Sequence, residues 1–427
     1  MKLILYHAQG NANVRASAIG LVESDLLKEF HTSIACFPGS LLDKMGNVSF
    51  LSEIHRREFD KSLQKFTFTW PIIELGRLIS LRAGFSRWTK QETGVFSVEA
   101  TIRRLDRKVA ARLKDADKKG ITGVYAYEDG AAFSFYKAKE SGIACFYDLP
   151  TGYWRAKLRI LEAEKQRSPN WQNTIRGLKD SKEKLARKDE EVRMADRIFV
   201  ASKFTASTLK DYPGKLPPIE IIPYGFPCVG AVRNYDENPG RTIKLLFVGS
   251  LSQQKGIANL FEAVDRLGKR VSLTLVGHKA SDECIPLNAG IEKHRWIDSL
   301  PHHKILEIMR EHDVLVFPTL FDGFGLVITE AMSQGTPVIA TYNSAGPDLI
   351  EHGKNGWLFE AGSTSDLQAI IEELAENPAV IAQAGFEAME TARRRPWSIF
   401  MHELSAAIKL HAENSRGPIR LDHIQEI

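Results

Sequence analysis

Short, continuously apolar runs alternate with longer stretches of helical period along almost the whole chain. This alternation limits the fold more than any other feature. In the first half such runs are "KLILYH", "HTSIACF", "TGVYAYE", "IACFYDL", "RIFVAS" and "IEIIPY"; in the second they are "IKLLFVGSL", "VSLTLVG", "DVLVFPT" and "TPVIATY". Strands that are apolar on both faces belong in parallel sheets covered by helices on either side. Stretches such as "SAIGLVESDLLKEF" and "AAFSFYKAKESG" supply the crossovers. A chain of 427 residues exceeds one ordinary core. The expected fold is α/β: two Rossmann-like domains with parallel sheets facing across a cleft lined by strand carboxyl ends. Residues 223–241, "PYGFPCVGAVRNYDENPGR", have no period and are rich in Pro and Gly, so they read as a linker. The domains are therefore expected at 1–225 and 226–395.

Composition excludes several classes. An apolar share of 43% and a charged share of 26% are those of a soluble globular protein. Cys36, Cys145, Cys228 and Cys284 are far apart and form no Cys-x-x-Cys pair, which argues for a reducing compartment and against a disulfide framework or a zinc site. The apolar run at the N-terminus is too short for a signal peptide, and no run is long enough to span a bilayer. A cytoplasmic protein is expected. Residues 53–120 hold sixteen Lys and Arg against nine Asp and Glu. Such an excess is either a solvated helical face or a surface drawn to anionic lipid or a pyrophosphate-bearing acceptor. No nucleic-acid-binding motif accompanies it, so nucleic acid is not an expected partner. The "DAD" at 115–117 lies in the same charged run, away from any strand end, and reads as solvated face rather than metal ligand.

Two glycine turns at strand ends carry the chemistry. "LLFVGSLSQQKGIANLFEAV" runs strand, Gly249, a polar turn with Lys255 and Gly256, then helix; "VFPTLFDGFGLVITEAM" runs strand, the turn Asp322-Gly323-Phe324-Gly325, then a helix with Glu330 inside it. A helix N-terminus beside glycines offers backbone N–H groups and partial positive charge, which suits phosphate. Lys255 would add a full charge to neutralise a departing diphosphate. Glu330, four residues into its helix, can lean back toward the turn and accept two hydroxyl hydrogen bonds from one ribose. Asp322 could do the same for a sugar ring. His278, after "TLVG", either lines the same pocket or is a capping or exposed residue.

The second half closely resembles the nucleotide-sugar-binding domain of the retaining glycosyltransferases of family 4, also called group 1, which have the GT-B fold. The resemblance runs from about 243 to 380. The family's acidic pair stands here as Asp322-x7-Glu330, followed by Ala331, Met332, Gly335, Pro337 and Val338; Gly249 with Lys255-Gly256, "WIDSLPHHKILEIMREHDVLVFPT" and "GPDLIEHGKNGWLF" also match. Three departures stand out. The first acid is Asp322 rather than Glu, Ser250 stands where an Arg is frequent, and "CFYDLPTGYWR" offers Tyr147 and Asp148 where many members have a His.

The resemblance implies transfer of a hexose from a UDP- or GDP-sugar to a hydroxyl of a saccharide or lipid-linked saccharide. Configuration would be retained, and neither metal nor cofactor would be needed. Such enzymes build polysaccharides and glycoconjugates, some as peripheral proteins on an anionic membrane surface. Lys255, Asp322 and Glu330 would be catalytic, with Gly249, Ser250, Gly323, Phe324, Gly325 and Leu326 holding diphosphate and sugar. In this fold the last helix, 396–427 here, packs back on the first domain. In the first half, "HAQGNANVRAS" puts Gly10 and Asn11 in the cleft and Arg15 near phosphate. Glu128, Asp129, Tyr147 and Asp148 are the acceptor-pocket candidates. The competing readings are a sugar-nucleotide epimerase of the same fold and a non-catalytic nucleotide-sugar-binding subunit.

Overall fold

The computed structural model describes residues 1–39, 57–175 and 177–414. Residues 53–56 of the basic stretch and 415–427 of the C-terminal helix, as expected from sequence, lie outside these. Contacts divide the chain into two compact units. The first comprises Met1–Asp148, Ala186–Phe199 and Ser398–Ile427; the second comprises Leu149–Leu185 and Val200–Trp397.

Two sheets carry the architecture. The seven-stranded sheet has the order β3-β2-β1-β4-β5-β6-β7, from β1 (Leu3–Tyr6), β2 (Leu27–Thr32), β3 (Thr67–Thr69), β4 (Gly123–Tyr127), β5 (Ala144–Leu149), β6 (Arg197–Val200) and β7 (Ile219–Ile221). The six-stranded sheet has the order β10-β9-β8-β11-β12-β13, from β8 (Ile243–Val248), β9 (Val271–Val276), β10 (Arg295–Ile297), β11 (Val314–Phe317), β12 (Val338–Thr341) and β13 (Gly356–Phe359). The pairings of β1 with β2 and β4, and of β8 with β9 and β11, are parallel. Central strands are buried throughout, with Leu3, Ile4, Leu5, Leu245, Leu246, Val314 and Val316 all inaccessible. That is why they read as unbroken apolar runs.

Each sheet has one switch point, where the strand order reverses direction: between β1 and β4 in the first, and between β8 and β11 in the second. In open parallel sheets, ligands bind outside the carboxyl ends of the strands at that point. The loops after β1, β4, β8 and β11 border those points.

One expected helix is shorter than its sequence suggests. "SAIGLVESDLLKEF" reads as a single helix because Leu26, Leu27 and Phe30 continue its apolar spacing. The helix Ala12–Glu23 stops instead at a turn with Asp25 in the left-handed region (φ 56°), and Leu27–Thr32 is strand β2. The strand hides its period by burying polar groups: Glu29 and His31 are interior, with His31 Nε2 2.9 Å from Glu29 Oε2 and Arg112 donating to the same carboxylate. For the same reason the strand expected over "HTSIACF" ends at Thr32. Strands β3, β10 and β13 went unmarked in the sequence. Each is an edge strand of three or four residues, too short to show a period.

Residues 223–241 contain no helix or strand, yet they are no free tether. Arg233 is buried and donates to Thr336 Oγ1 (2.8 Å) and to the His312 carbonyl, and the Tyr235 hydroxyl donates to Gly335 O (2.6 Å). These bonds keep the segment within the second unit. In the helix Trp397–Asn414, Phe400, Leu404 and Ile408 are buried and Ser405 Oγ donates to Gly20 O at 3.1 Å. Among the described residues no helix is long and apolar enough to cross a membrane. Asp115 and Asp117 of the "DAD" stretch are exposed, and Asp115 sits 3.7 Å from Lys119.

Candidate active site

At the switch point of the second sheet, the turns after β8 and β11 are laced together. Gln254 O accepts from Leu320 N (2.9 Å) and Thr319 Oγ1 (3.2 Å), and Gln254 Nε2 donates to Phe321 O (3.1 Å). Gly256 makes the approach feasible. It has φ +72°, and a Cβ there would stand 1.9 Å from Pro318 O. Only glycine tolerates both the conformation and the contact. Lys255 is thereby carried to Asp322, and its ammonium forms an ion pair with Asp322 Oδ2 while lying 5.3 Å from the centre of the Phe317 ring. The other Asp322 oxygen accepts from Phe324 N at 3.3 Å.

The two helix starts differ, contrary to the expectation that both present unoccupied N–H groups. At the helix Ile257–Leu267, Gln253 Oε1 accepts from Ala258 N at 2.9 Å, and Ser252 O takes Ile257 N. The side chain of Gln253 thus does what an anion would do. At the helix Leu326–Ser333, Gly325 precedes the first residue with φ +84° and no side chain caps the end. The N–H groups of Leu326 and Val327 find no acceptor among the described residues. Of these two starts, it is the one open to an anion.

The turn between is fixed rather than loose. The Gly323 carbonyl accepts from Ser202 Oγ (2.5 Å) and Thr205 Oγ1 (2.9 Å), and Phe324 is buried with its ring 4.7 Å from that of Tyr224. Phe324 can therefore serve a ligand through its backbone only. Glu330 is partly exposed. Its Oε1 lies 3.1 Å from Nε2 of His302, and its Oε2 has no partner among the described residues. His302 opens the helix His302–Arg310, and the bond to Glu330 raises its pKa against the opposing effect of burial. Ser250 is exposed, and Gly249 N donates to Val276 O at 2.9 Å. His278 pairs with Asp298 at 2.9 Å, both exposed.

At the switch point of the first sheet the candidates are more enclosed. His7 Nδ1 accepts from Gly10 N (3.0 Å), and burial, followed by Arg57, lowers its pKa to about 4. Gly10 (φ +64°) lies against the Phe59 ring. Asn11 is exposed and precedes the helix Ala12–Glu23 without a side-chain cap bond, and the Arg15 guanidinium stands 5.3 Å over Phe59.

Glu128 Oε1 is 2.8 Å from Lys188 Nζ, and Asp129 Oδ2 is 3.4 Å from the same ammonium. Asp129 has φ 70°, an uncommon conformation for a residue with a side chain, held by Glu191 accepting its N–H at 2.9 Å. Tyr147 and Asp148 are only 1% and 3% exposed. The Tyr147 hydroxyl meets Glu191 at 3.3 Å, and the Tyr125 hydroxyl donates to Asp148 Oδ2 at 2.6 Å. Both are interior side chains because β5 is covered on both faces. Burial pushes Asp148 up to about 7 and Glu191 up to about 8.

Sequence reasoning missed Gln253, His302, Ser202 and Thr205. "PHHK" marks a helix start, but nothing in it announces that the first imidazole reaches a carboxylate 28 positions away. Ser202 and Thr205 carry a local signal, a hydroxyl three residues before another at a helix start, which identifies a cap and not its second partner.

Residues 232–391 match the model of the family described as glycosyl transferases group 1. The D-inositol 3-phosphate glycosyltransferase of Pseudarthrobacter chlorophenolicus is 31% identical over 237 residues, which cover 50% of this chain and 56% of that protein. The chain spans about half the length of the relatives it matches. Among solved structures, sucrose-phosphate synthase from Thermosynechococcus elongatus superposes with a TM-score of 0.62 at 15% identity, covering 97% of this chain and 100% of that one. Anabaena Alr3699/HepE in complex with UDP gives 0.61 at 17% identity, covering 96% and 100%. The fold is GT-B, and residues 232–391 within it are similar to the glycosyl transferases group 1 family.

Proposed function

We propose that this protein is a retaining glycosyltransferase that moves a hexose from a UDP- or GDP-sugar to a hydroxyl of a saccharide or lipid-linked saccharide, in the synthesis of a polysaccharide or glycoconjugate. The observation that carries the reading is the laced pair of turns between β8 and β11: Lys255 paired with Asp322, beside a helix start with unoccupied N–H groups. The UDP held by the structurally similar HepE supports a nucleotide donor.

In this reading the donor diphosphate sits at the start of the helix Leu326–Ser333. Lys255, held close by Asp322 in the free protein, turns toward the leaving phosphate as its charge grows. Asp322 then accepts from hydroxyls of the sugar, and the unpartnered Oε2 of Glu330 accepts from the ribose. The acceptor oxygen bonds to the anomeric carbon on the face that the diphosphate leaves. The bond from that carbon to phosphate oxygen breaks, and the acceptor proton passes to the departing phosphate. Configuration is kept, and no metal, cofactor or strong protein base takes part. All four cysteines are free, which supports a cytoplasmic location.

Incubation with UDP- and GDP-hexoses and a saccharide acceptor tests the reading, with NMR of the anomeric proton in donor and product. The same anomeric configuration in both is expected. An inverted product overturns the retaining step, and an epimerised nucleotide sugar formed without acceptor overturns the transferase reading in favour of an epimerase.

A further inference from the structure

The helix Ile72–Arg82 in the first unit is built inside out. Its only carboxylate, Glu74, is buried and clamped by Arg57 and, at 2.7 Å, by Arg77. Burial acts to raise the pKa of Glu74, but the two guanidinium groups outweigh it and hold the carboxyl below its ordinary range. Ser80 is buried as well, and Gly76 faces the ring of Phe96. The opposite face, where Ile72, Leu75 and Ile79 recur at helical spacing, points outward, with Ile72 69% and Ile79 64% exposed. The segment that follows continues the surface with Phe85 and Trp88, half exposed and with ring centres 4.9 Å apart. Single exposed apolar residues are ordinary, but a contiguous patch of this kind marks an interaction surface.

The charges around the patch say what covers it. Between Ile72 and Lys90 no carboxylate reaches the surface, whereas Arg82, Arg87 and Lys90 are all exposed. Arg87 and Lys90 have no ion-pair partner among the described residues. The combination is an apolar face, a tryptophan and a phenylalanine suited to the head-group level, and cations beside them. These are the parts of a helix that lies in a membrane interface. The helix has 11 residues and a length of about 16 Å, enough to lie in an interface and too short to span one.

We propose that this face seats the protein on a membrane surface bearing anionic lipid. The surface lies wholly in the first unit, so the proposal stands independently of the transferase reading.

Sedimentation with vesicles of phosphatidylglycerol and phosphatidylcholine, against phosphatidylcholine alone, tests it. Binding to the anionic vesicles is expected at low salt, falling as salt rises. With each basic residue near anionic lipid worth about fivefold, the variant Arg82→Glu/Arg87→Glu/Lys90→Glu should bind at least about a hundredfold more weakly. Ile72→Ser/Ile79→Ser should also lose binding, with the cations intact and the melting temperature unchanged. No binding to anionic vesicles at low salt overturns the proposal, as does binding that survives both sets of substitutions. A dimer in solution that Ile79→Ser dissociates would also overturn it, because a second copy would then be the occupant.

Discussion

The two switch points share a topology and differ in how they hold charge. Around the carboxyl ends of β1, β4 and β5 the polar groups are taken inside. The pKa of His7 falls to about 4, and those of Asp148 and Glu191 rise to about 7 and about 8, burial being the largest cause in each case. Between β8 and β11 the charges stay partly exposed, in opposite-sign pairs: Lys255 with Asp322 and His302 with Glu330. Interior groups fixed by several bonds shape loops and are costly to disturb. Partly exposed pairs can exchange one partner for a ligand at little cost. One parallel-sheet plan thus yields a rigid strand-end cluster in one unit and an exchangeable one in the other.

Removing the exchangeable cation should have the largest effect. Lys255→Ala is expected to lower transfer turnover by at least about a hundredfold, the scale of losing one preorganised group at a developing charge, with a smaller change in donor affinity. Rapid-quench turnover beside equilibrium donor binding separates the two. Near-normal turnover would remove Lys255 from the leaving-group role.

Next is Glu330→Ala, expected to weaken donor binding at least tenfold, since a hydrogen bond to a charged group contributes about 1.5–3 kcal/mol. Calorimetric titration of a folded variant reads this directly. Unchanged affinity would leave the carboxylate pairing with His302 as its whole role.

The interior cluster gives a prediction of opposite character. Asp148 has its pKa raised from 3.8 to about 7. Between those values the folded protein holds a proton that the unfolded chain releases. The associated stability is therefore complete below the lower value and is lost as pH rises through the upper one. Asp148→Asn should remove the loss, leaving the variant about 1–3 kcal/mol more stable than the parent at mildly alkaline pH and no different in acid. Thermal melts across pH check it. A parent protein whose melting does not change across that range would break the contrast between the two clusters.

The smallest effect concerns His302. Its raised pKa means that its pairing with Glu330 is fully formed below the ordinary histidine range and is lost as pH rises through the raised value. Donor affinity should accordingly improve as pH rises, by about two- to fivefold, the range of an exposed pair. His302→Gln should flatten that dependence, and a slope that persists in the variant would assign it elsewhere.

The parallel two-sheet plan was legible because buried central strands show as apolar runs, and the glycine turns were legible because only glycine permits the backbone approach at Gly256. The ends of β2 were misread because Glu29 and His31 sit in a buried ion-pair network that mimics a polar surface. Gln253 capping its own helix, and His302 meeting Glu330, depend on tertiary neighbours that no local spacing encodes. The outward turn of the helix Ile72–Arg82 was left open between two readings, because its apolar spacing suits either a core or a surface.

The central claim is that the turns between β8 and β11 bind a nucleotide sugar through Glu330. Thermal shift of the parent protein, Glu330→Ala and Asp148→Asn against UDP-, GDP- and ADP-sugars tests it most directly, because a ligand that binds only the folded state raises the melting temperature with its concentration. The expected result is a concentration-dependent rise with UDP- or GDP-sugars that persists in Asp148→Asn and is strongly reduced in Glu330→Ala. No rise with any of these sugars, or a rise that Glu330→Ala leaves intact, would contradict the account.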